Sequence, residues 1–135
     1  MTDPSHRELA HSPEELLRLF HSRANEGDVE GLVALYEAGA VLAVGAPVAT
    51  GHAEIRKFYA DLLNRKRTFP ETEHLPVLRN GGLAMTTARL PNGNISVEIA
   101  RLQTDGSWLW VVDQLKIKPV SGRRVTNAPE PLKPD

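Results

Sequence analysis

Cysteine is absent from the chain, which excludes disulfides, thiol nucleophiles and thiolate metal sites. Neither sign of charge is in excess. The 16 Lys and Arg stand against 17 Asp and Glu, for a formal net charge of −1, so the basic surplus that nucleic-acid binding calls on is missing. No apolar run approaches the roughly 18 residues of a membrane helix. The polar start Met1-Thr2-Asp3-Pro4-Ser5-His6-Arg7-Glu8 does not read as a secretory signal. The expectation is a cytoplasmic protein with neither nucleic acid nor membrane as partner. His6, His11 and His21 lack metal-ligand spacing, so neither a metal nor a cofactor is expected. The 135 residues suit one domain with one sizeable core.

The first half has helical period. Ser12-Pro13-Glu14-Glu15 combines a capping box with proline at the first helical position, and Leu16, Leu17, Phe20 and Ala24 follow at helical spacing. This predicts a helix over 13–26, stopped by Gly27. Asp28 caps a second over 28–38, with Val29, Leu32, Val33 and Tyr36 on one stripe. Val41 to Val44 and Pro47 to Ala49 read as a small hairpin. A third helix, 51–65, carries Ile55, Phe58, Tyr59, Leu62 and Leu63 on one face, and Arg65-Lys66-Arg67 suit its C-terminal dipole. Near residue 68 the period changes to two. Asn80-Gly81-Gly82, Asn92-Gly93 and Asp105-Gly106 divide 70–118 into four strands of an antiparallel meander. The expected organisation is a flexible segment 1–11, a domain 12–118 and a Pro-rich irregular tail 119–135.

The chemistry is concentrated in two acids. With Asp105-Gly106 closing a two-residue hairpin, Glu98 and Asp113 face each other directly. Like charges opposite one another destabilise a strand pair, and burial disfavours ionisation further, so one carboxyl keeps its proton near neutrality. Strand alternation puts Leu109, Val111, Leu115 and Ile117 on the carboxylate face and Trp108, Trp110 and Val112 on the outward face, where they suit a subunit interface. Two-residue turns throughout also bring Met85, Thr87, Arg89 and His74 to the carboxylate side, as a row His74, Thr87, Glu98, Asp113.

Two helices, a short hairpin, the helix opening Thr50-Gly51-His52-Ala53-Glu54-Ile55-Arg56-Lys57-Phe58-Tyr59 and then a meander ending Trp108-Leu109-Trp110-Val111-Val112-Asp113 resemble the nuclear-transport-factor-2-like superfamily. The likeness is to its SnoaL-like and ketosteroid-isomerase-like branch, over about residues 12–118. The resemblance implies an α+β cone of three helices on a strongly curved antiparallel sheet, a cavity between them, and a homodimer. The superfamily includes isomerases, cyclases, epoxide hydrolases, dehydratases and non-catalytic members. Its steroid isomerases use a tyrosine, an aspartate base and a protonated aspartate. The matching positions here are Phe20, Val44 and Glu98, so only one carboxyl is kept and that mechanism is disfavoured. The epoxide hydrolases' aspartate-arginine-aspartate pattern is absent, although Glu98, Asp113 and Arg89 offer the same groups. For the aspartate and histidine of the SnoaL-like cyclases the nearest residues are Asp113 and His74.

The expected function is binding of a small, mostly apolar organic molecule, extended by general acid/base isomerase, cyclase, hydrolase or lyase chemistry. Glu98 is read as the neutral acid, Asp113 as the base or water activator, and His74 as a proton exchanger. The ligand contacts expected are Phe20, Val44, Tyr59, Met85, Thr87, Arg89, Val111 and Leu115. The alternative is a non-catalytic ligand-binding or dimerisation module of the same fold.

Overall fold

The computed structural model describes residues 7–118. Helix α1 spans Pro13–Asn25. At its start the Ser12 hydroxyl accepts from Glu15 N at 3.3 Å, and the Glu15 carboxylate accepts from His11 N at 2.8 Å. At its end Gly27 takes φ +72°, and its N–H bonds Ala24 O while Asp28 N bonds Arg23 O. This paired closure needs a residue tolerant of the left-handed region. The Asp28 carboxylate then caps α2 by accepting from Gly31 N at 3.0 Å.

Helix α2 covers only Val29–Val33, not 28–38. The chain leaves it to become strand β1, Tyr36–Ala43, so Tyr36 lies on a strand and not on a helical stripe. Five residues cannot sustain a helix on their own. Here Trp110 N bonds Leu35 O, and Tyr36 enters the sheet beside Trp110. Strand β2, Val48–Thr50, pairs antiparallel with β1 as the expected hairpin. Helix α3 follows at Gly51–Arg65, where His52 Nε2 donates to Tyr36 O at 2.7 Å and ties the start of the helix to β1.

The remaining strands are β3 (Glu73–His74), β4 (Leu78–Asn80), β5 (Leu83–Arg89), β6 (Ile95–Leu102) and β7 (Trp108–Ile117). The sheet order is β2-β1-β7-β6-β5-β3, with β4 also paired to β5. The architecture is therefore α+β with three helices. Its sheet is mixed and not wholly antiparallel, because β1 runs parallel to β7.

Both long hairpins close with three-residue loops. Gly93 N bonds Leu90 O and Leu90 N bonds Asn94 O; Gly106 N bonds Gln103 O and Gln103 N bonds Ser107 O. Gly93 and Gly106 occupy the left-handed position at φ +91° and +88°, the arrangement of a turn followed by a glycine bulge. Each loop moves the register by one residue from the two-residue expectation. On β5 nothing corrects the move, so Thr86 and not Thr87 lies opposite Glu98. On β7 an extra residue does correct it: Ala100 pairs with Trp110 but Ile99 with Val112, leaving Val111 as the bulge. The expected Glu98–Asp113 pairing is thus present, reached through a longer loop and a bulge that cancel.

The bulge also turns the tryptophans inward. Trp110 is 1% exposed and Trp108 8%, which removes them from the outward face where they were expected. Leu16, Leu32, Leu42, Ile55 and Tyr59 fill the core between the helices and the sheet with them. Residues 7–10, expected as part of a flexible segment, are tied down: Arg7 pairs with Asp28 at 2.6 Å, Trp108 N bonds Ala10 O, and Ala10 is buried. The expected tail 119–135 lies outside the described residues.

Candidate functional site

Two hydrogen-bonded chains converge on the carboxyl pair. In the first, Trp110 Nε1, which can only donate, gives its proton to Thr86 Oγ1 at 3.3 Å. The Thr86 hydroxyl then gives its own to Glu98 Oε1. In the second, Tyr36 Oη donates to Asp113 Oδ2 at 2.5 Å and lies 2.6 Å from Tyr59 Oη. Because Tyr36 spends its proton on Asp113, Tyr59 is the donor of that last bond. Asp113 Oδ1 is buried with no partner among the described residues.

These groups are deep. Glu98 is 2% exposed, Asp113 1% and Thr86 0%. Burial pushes the Glu98 carboxyl up to about 7, held back by the hydrogen bond from Thr86. The Asp113 carboxyl rises well above its ordinary range, first through burial and then through the charge of Glu98, despite the opposing bond from Tyr36. Burial and the neighbouring Asp113 charge likewise raise the Tyr36 and Tyr59 phenols, so both remain donors. The few aromatic residues are massed here: Phe20 lies edge-on to both Tyr59 and Trp110 at 6.1 Å, and Tyr36 is 5.5 Å from Trp110.

Glu98 and Asp113 line a cavity of about 510 Å³ between the sheet and helices α1 and α3. Its walls are mainly Leu17, Phe20, Val44, Phe58, Leu62 and Leu115, with Trp110 beside the acids. The volume is that of a pocket for a small organic molecule, and the walls are apolar as such pockets are.

Of the residues expected to contact ligand, Phe20, Val44 and Leu115 line this cavity. Tyr59 does not; it is wholly buried and reaches Asp113 through Tyr36. Met85, Thr87 and Arg89 are on the opposite face, because the Pro91-Asn92-Gly93 loop shifts β5 by one, and Arg89 is occupied by Glu73 at 2.8 Å. Val111 is the bulge residue and lies off the lining. His74 pairs with Ala88 and lines the cavity, but it is exposed and makes no hydrogen bond to either acid among the described residues. The expected row through Thr87 and His74 to the acids is therefore not formed.

Thr86, Tyr36 and Trp110 are the residues sequence reasoning missed. For Thr86 a signal existed: Leu90-Pro91-Asn92-Gly93 has proline second and glycine fourth, the preference of a type I turn, which forces the three-residue loop. No comparable signal marks Tyr36, since Val29, Leu32, Val33 and Tyr36 keep perfect helical spacing.

No protein-family model matches the sequence, and no curated protein matches it either. Solved structures do match. A ketosteroid isomerase-like protein from Erwinia carotovora atroseptica SCRI1043 superposes with a TM-score of 0.66 at 20% identity, covering 78% of this chain and 94% of that one. An NTF2-like protein of unknown function from Pseudomonas putida KT2440 gives 0.62 at 18% identity, over 90% of this chain and 93% of its own. The chain has the nuclear-transport-factor-2-like fold. The same nuclear-transport-factor-2-like architecture is found in a Thiobacillus denitrificans protein provisionally named a calcium/calmodulin-dependent protein kinase type II association domain, with a TM-score of 0.69 at 12% identity over 79% of this chain and 95% of that one.

Proposed function

We propose that this protein binds a small, mostly apolar organic molecule in the cavity and performs general acid/base chemistry on it with Glu98 and Asp113. The observation that carries the reading is a buried carboxyl pair lining an apolar cavity of about 510 Å³, each acid held by its own chain of donors. The roles are the reverse of those the sequence suggested. Burial and the neighbouring charge of Glu98 both raise the Asp113 proton affinity, and we assign to Asp113 the proton that the pair keeps at neutral pH. Oδ2 is occupied by Tyr36, which leaves the proton on Oδ1, the atom without a partner among the described residues. Neutral Asp113 is then a hydrogen-bond donor to an oxygen that gains charge, and Glu98, ionising near pH 7, is the base.

A substrate-independent probe tests this. In 5-nitrobenzisoxazole, loss of the C3 proton to a base turns the C–H electrons into a nitrile bond while the N–O bond breaks and leaves a phenolate. The expected result is a rate well above that of acetate at equal concentration, rising with pH through about 7 and lost in Glu98→Gln. A rate no better than acetate, or one untouched by that substitution, overturns the acid/base reading.

A second reading, assembly through the sheet, has its own observation. Leu78, Met85, Ile99, Val112 and Val41 form one cross-strand row on the outward face. Leu78 is 60% exposed and Val112 49%. Apolar side chains on a face the helices do not cover suit a homodimer, and the similarity to the Thiobacillus association domain points the same way. Sedimentation at micromolar concentration is expected to give a dimer, and Val112→Glu a monomer. A wild-type monomer removes this reading.

A further inference from the structure

The cavity is electrically asymmetric. The acids in its lining are Glu98 and Asp113, both at the buried end, whereas Arg65, Lys66 and Lys116 line it from exposed positions. Among the described residues, the cations in carboxylate ion pairs are Arg7, Arg18, Arg56, Lys57, Arg79, Arg89 and Arg101, at distances up to 3.6 Å. None of these lines the cavity. Arg23 spends its guanidinium on the carbonyls of Gly31 and Glu8. Among the described residues, the cations left without a carboxylate are Arg65, Lys66 and Arg67 around the end of α3 and Lys116 and Lys118 around the end of β7, and of these Arg65, Lys66 and Lys116 line the cavity. Among the described residues, the positive charge without a carboxylate partner thus gathers near one opening.

The C-terminal dipole of α3 accounts for Arg65. It does not account for Lys116, which is on a strand. Lys66 is also held in place: its ammonium lies 5.2 Å from the centre of the Phe69 ring. Phe69 in turn is clamped to α1, its N–H donating to Asn25 Oδ1 at 2.8 Å and its carbonyl accepting from His21 Nε2 at 2.7 Å. A lysine fixed by an aromatic ring that is itself fixed is better placed to hold a ligand charge than one free in solvent.

We infer that the ligand is an organic anion whose apolar body fills the cavity and whose carboxylate, sulfonate or phosphate group stays at the mouth, between Arg65, Lys66 and Lys116. The inference rests on the apolar-ligand reading above and adds the charge and direction of the molecule. Attraction at the rim and the ionised Glu98 at the far end act together, so the anionic group stays outward and the reacting end meets the acid pair.

Two fluorescent probes with the same apolar body decide the matter: 1-anilinonaphthalene-8-sulfonate and the neutral N-phenyl-1-naphthylamine. The anion is expected to bind about tenfold more tightly at about 50 mM salt, with most of that advantage screened at about 500 mM. Neutralising the rim with Arg65→Gln, Lys66→Gln and Lys116→Gln is expected to erase the difference while leaving the neutral probe's affinity unchanged. Filling the cavity with Val44→Trp is expected to weaken both probes. Equal affinities in the wild-type protein overturn the anion inference and leave the apolar-cavity reading standing, as does a preference that survives neutralisation of the rim. Binding of neither probe overturns both.

Discussion

Replacing Glu98 with Gln should make the protein more stable, by an amount that depends on pH. The Glu98 carboxyl ionises at about 4.5 in the unfolded chain and at about 7 in the folded one. Below pH 4.5 both states are protonated and the acid costs nothing. As pH rises from 4.5 toward 7, the unfolded chain gives up its proton first, so stability falls with pH and levels off above about 7. The interval corresponds to about 3 kcal/mol at 1.36 kcal/mol per unit. An amide does not titrate, and its oxygen still accepts the Thr86 hydroxyl. Removing the Glu98 charge also lets the Asp113 carboxyl ionise more readily, which adds in the same direction. Urea unfolding of both proteins, followed by the emission of the buried Trp108 and Trp110 between about pH 4 and 8, yields the difference directly. The expected difference grows by about 3 kcal/mol in favour of the amide across that range. Parallel stability curves would show that Glu98 is not held in a state that resists ionisation, and the argument for a base tuned near neutrality would fall with it.

Three further substitutions test the donor chains and the helix end. Tyr36→Phe removes the donor to Asp113 Oδ2 and the acceptor of the Tyr59 hydroxyl; it should raise the Asp113 proton affinity further, seen by carboxyl NMR, and cost about 1–3 kcal/mol in urea unfolding. Thr86→Val strands the Trp110 N–H and takes a hydrogen bond from Glu98, so the Glu98 titration should move above pH 7 at a similar cost in stability. Gly27→Ala meets no atom within 4 Å, so any loss comes from the backbone at φ +72° alone; about 1 kcal/mol is expected, measured as a lower urea midpoint with unchanged slope.

The local elements were legible in the sequence because their causes are local. Ser12, Pro13 and Glu15 start α1 and Gly27 ends it without help from the rest of the chain. The apolar stripe of α3 and the three glycine turns of the second half needed nothing distant either. The change of period near residue 68 sufficed to divide helices from strands. The two acids were legible as a pair for a less secure reason, since the loop and the bulge that displaced the register happened to cancel between Glu98 and Asp113.

Only tertiary structure decided how that pair is held. Tyr36 sits at helical spacing with Val29, Leu32 and Val33, yet pairing beside Trp110 draws it into β1, and that exchange puts its hydroxyl on Asp113. The Val111 bulge turns Trp110 from the outside to the cavity, while the uncorrected shift of β5 turns Thr86 in and Thr87, Met85 and Arg89 out. Strand period is two, so one residue of register exchanges every side chain between faces, and register is set by contacts far apart in the chain. Sequence determined which residues could make helices, strands and an acid pair. The assembled sheet determined which side chains face that pair.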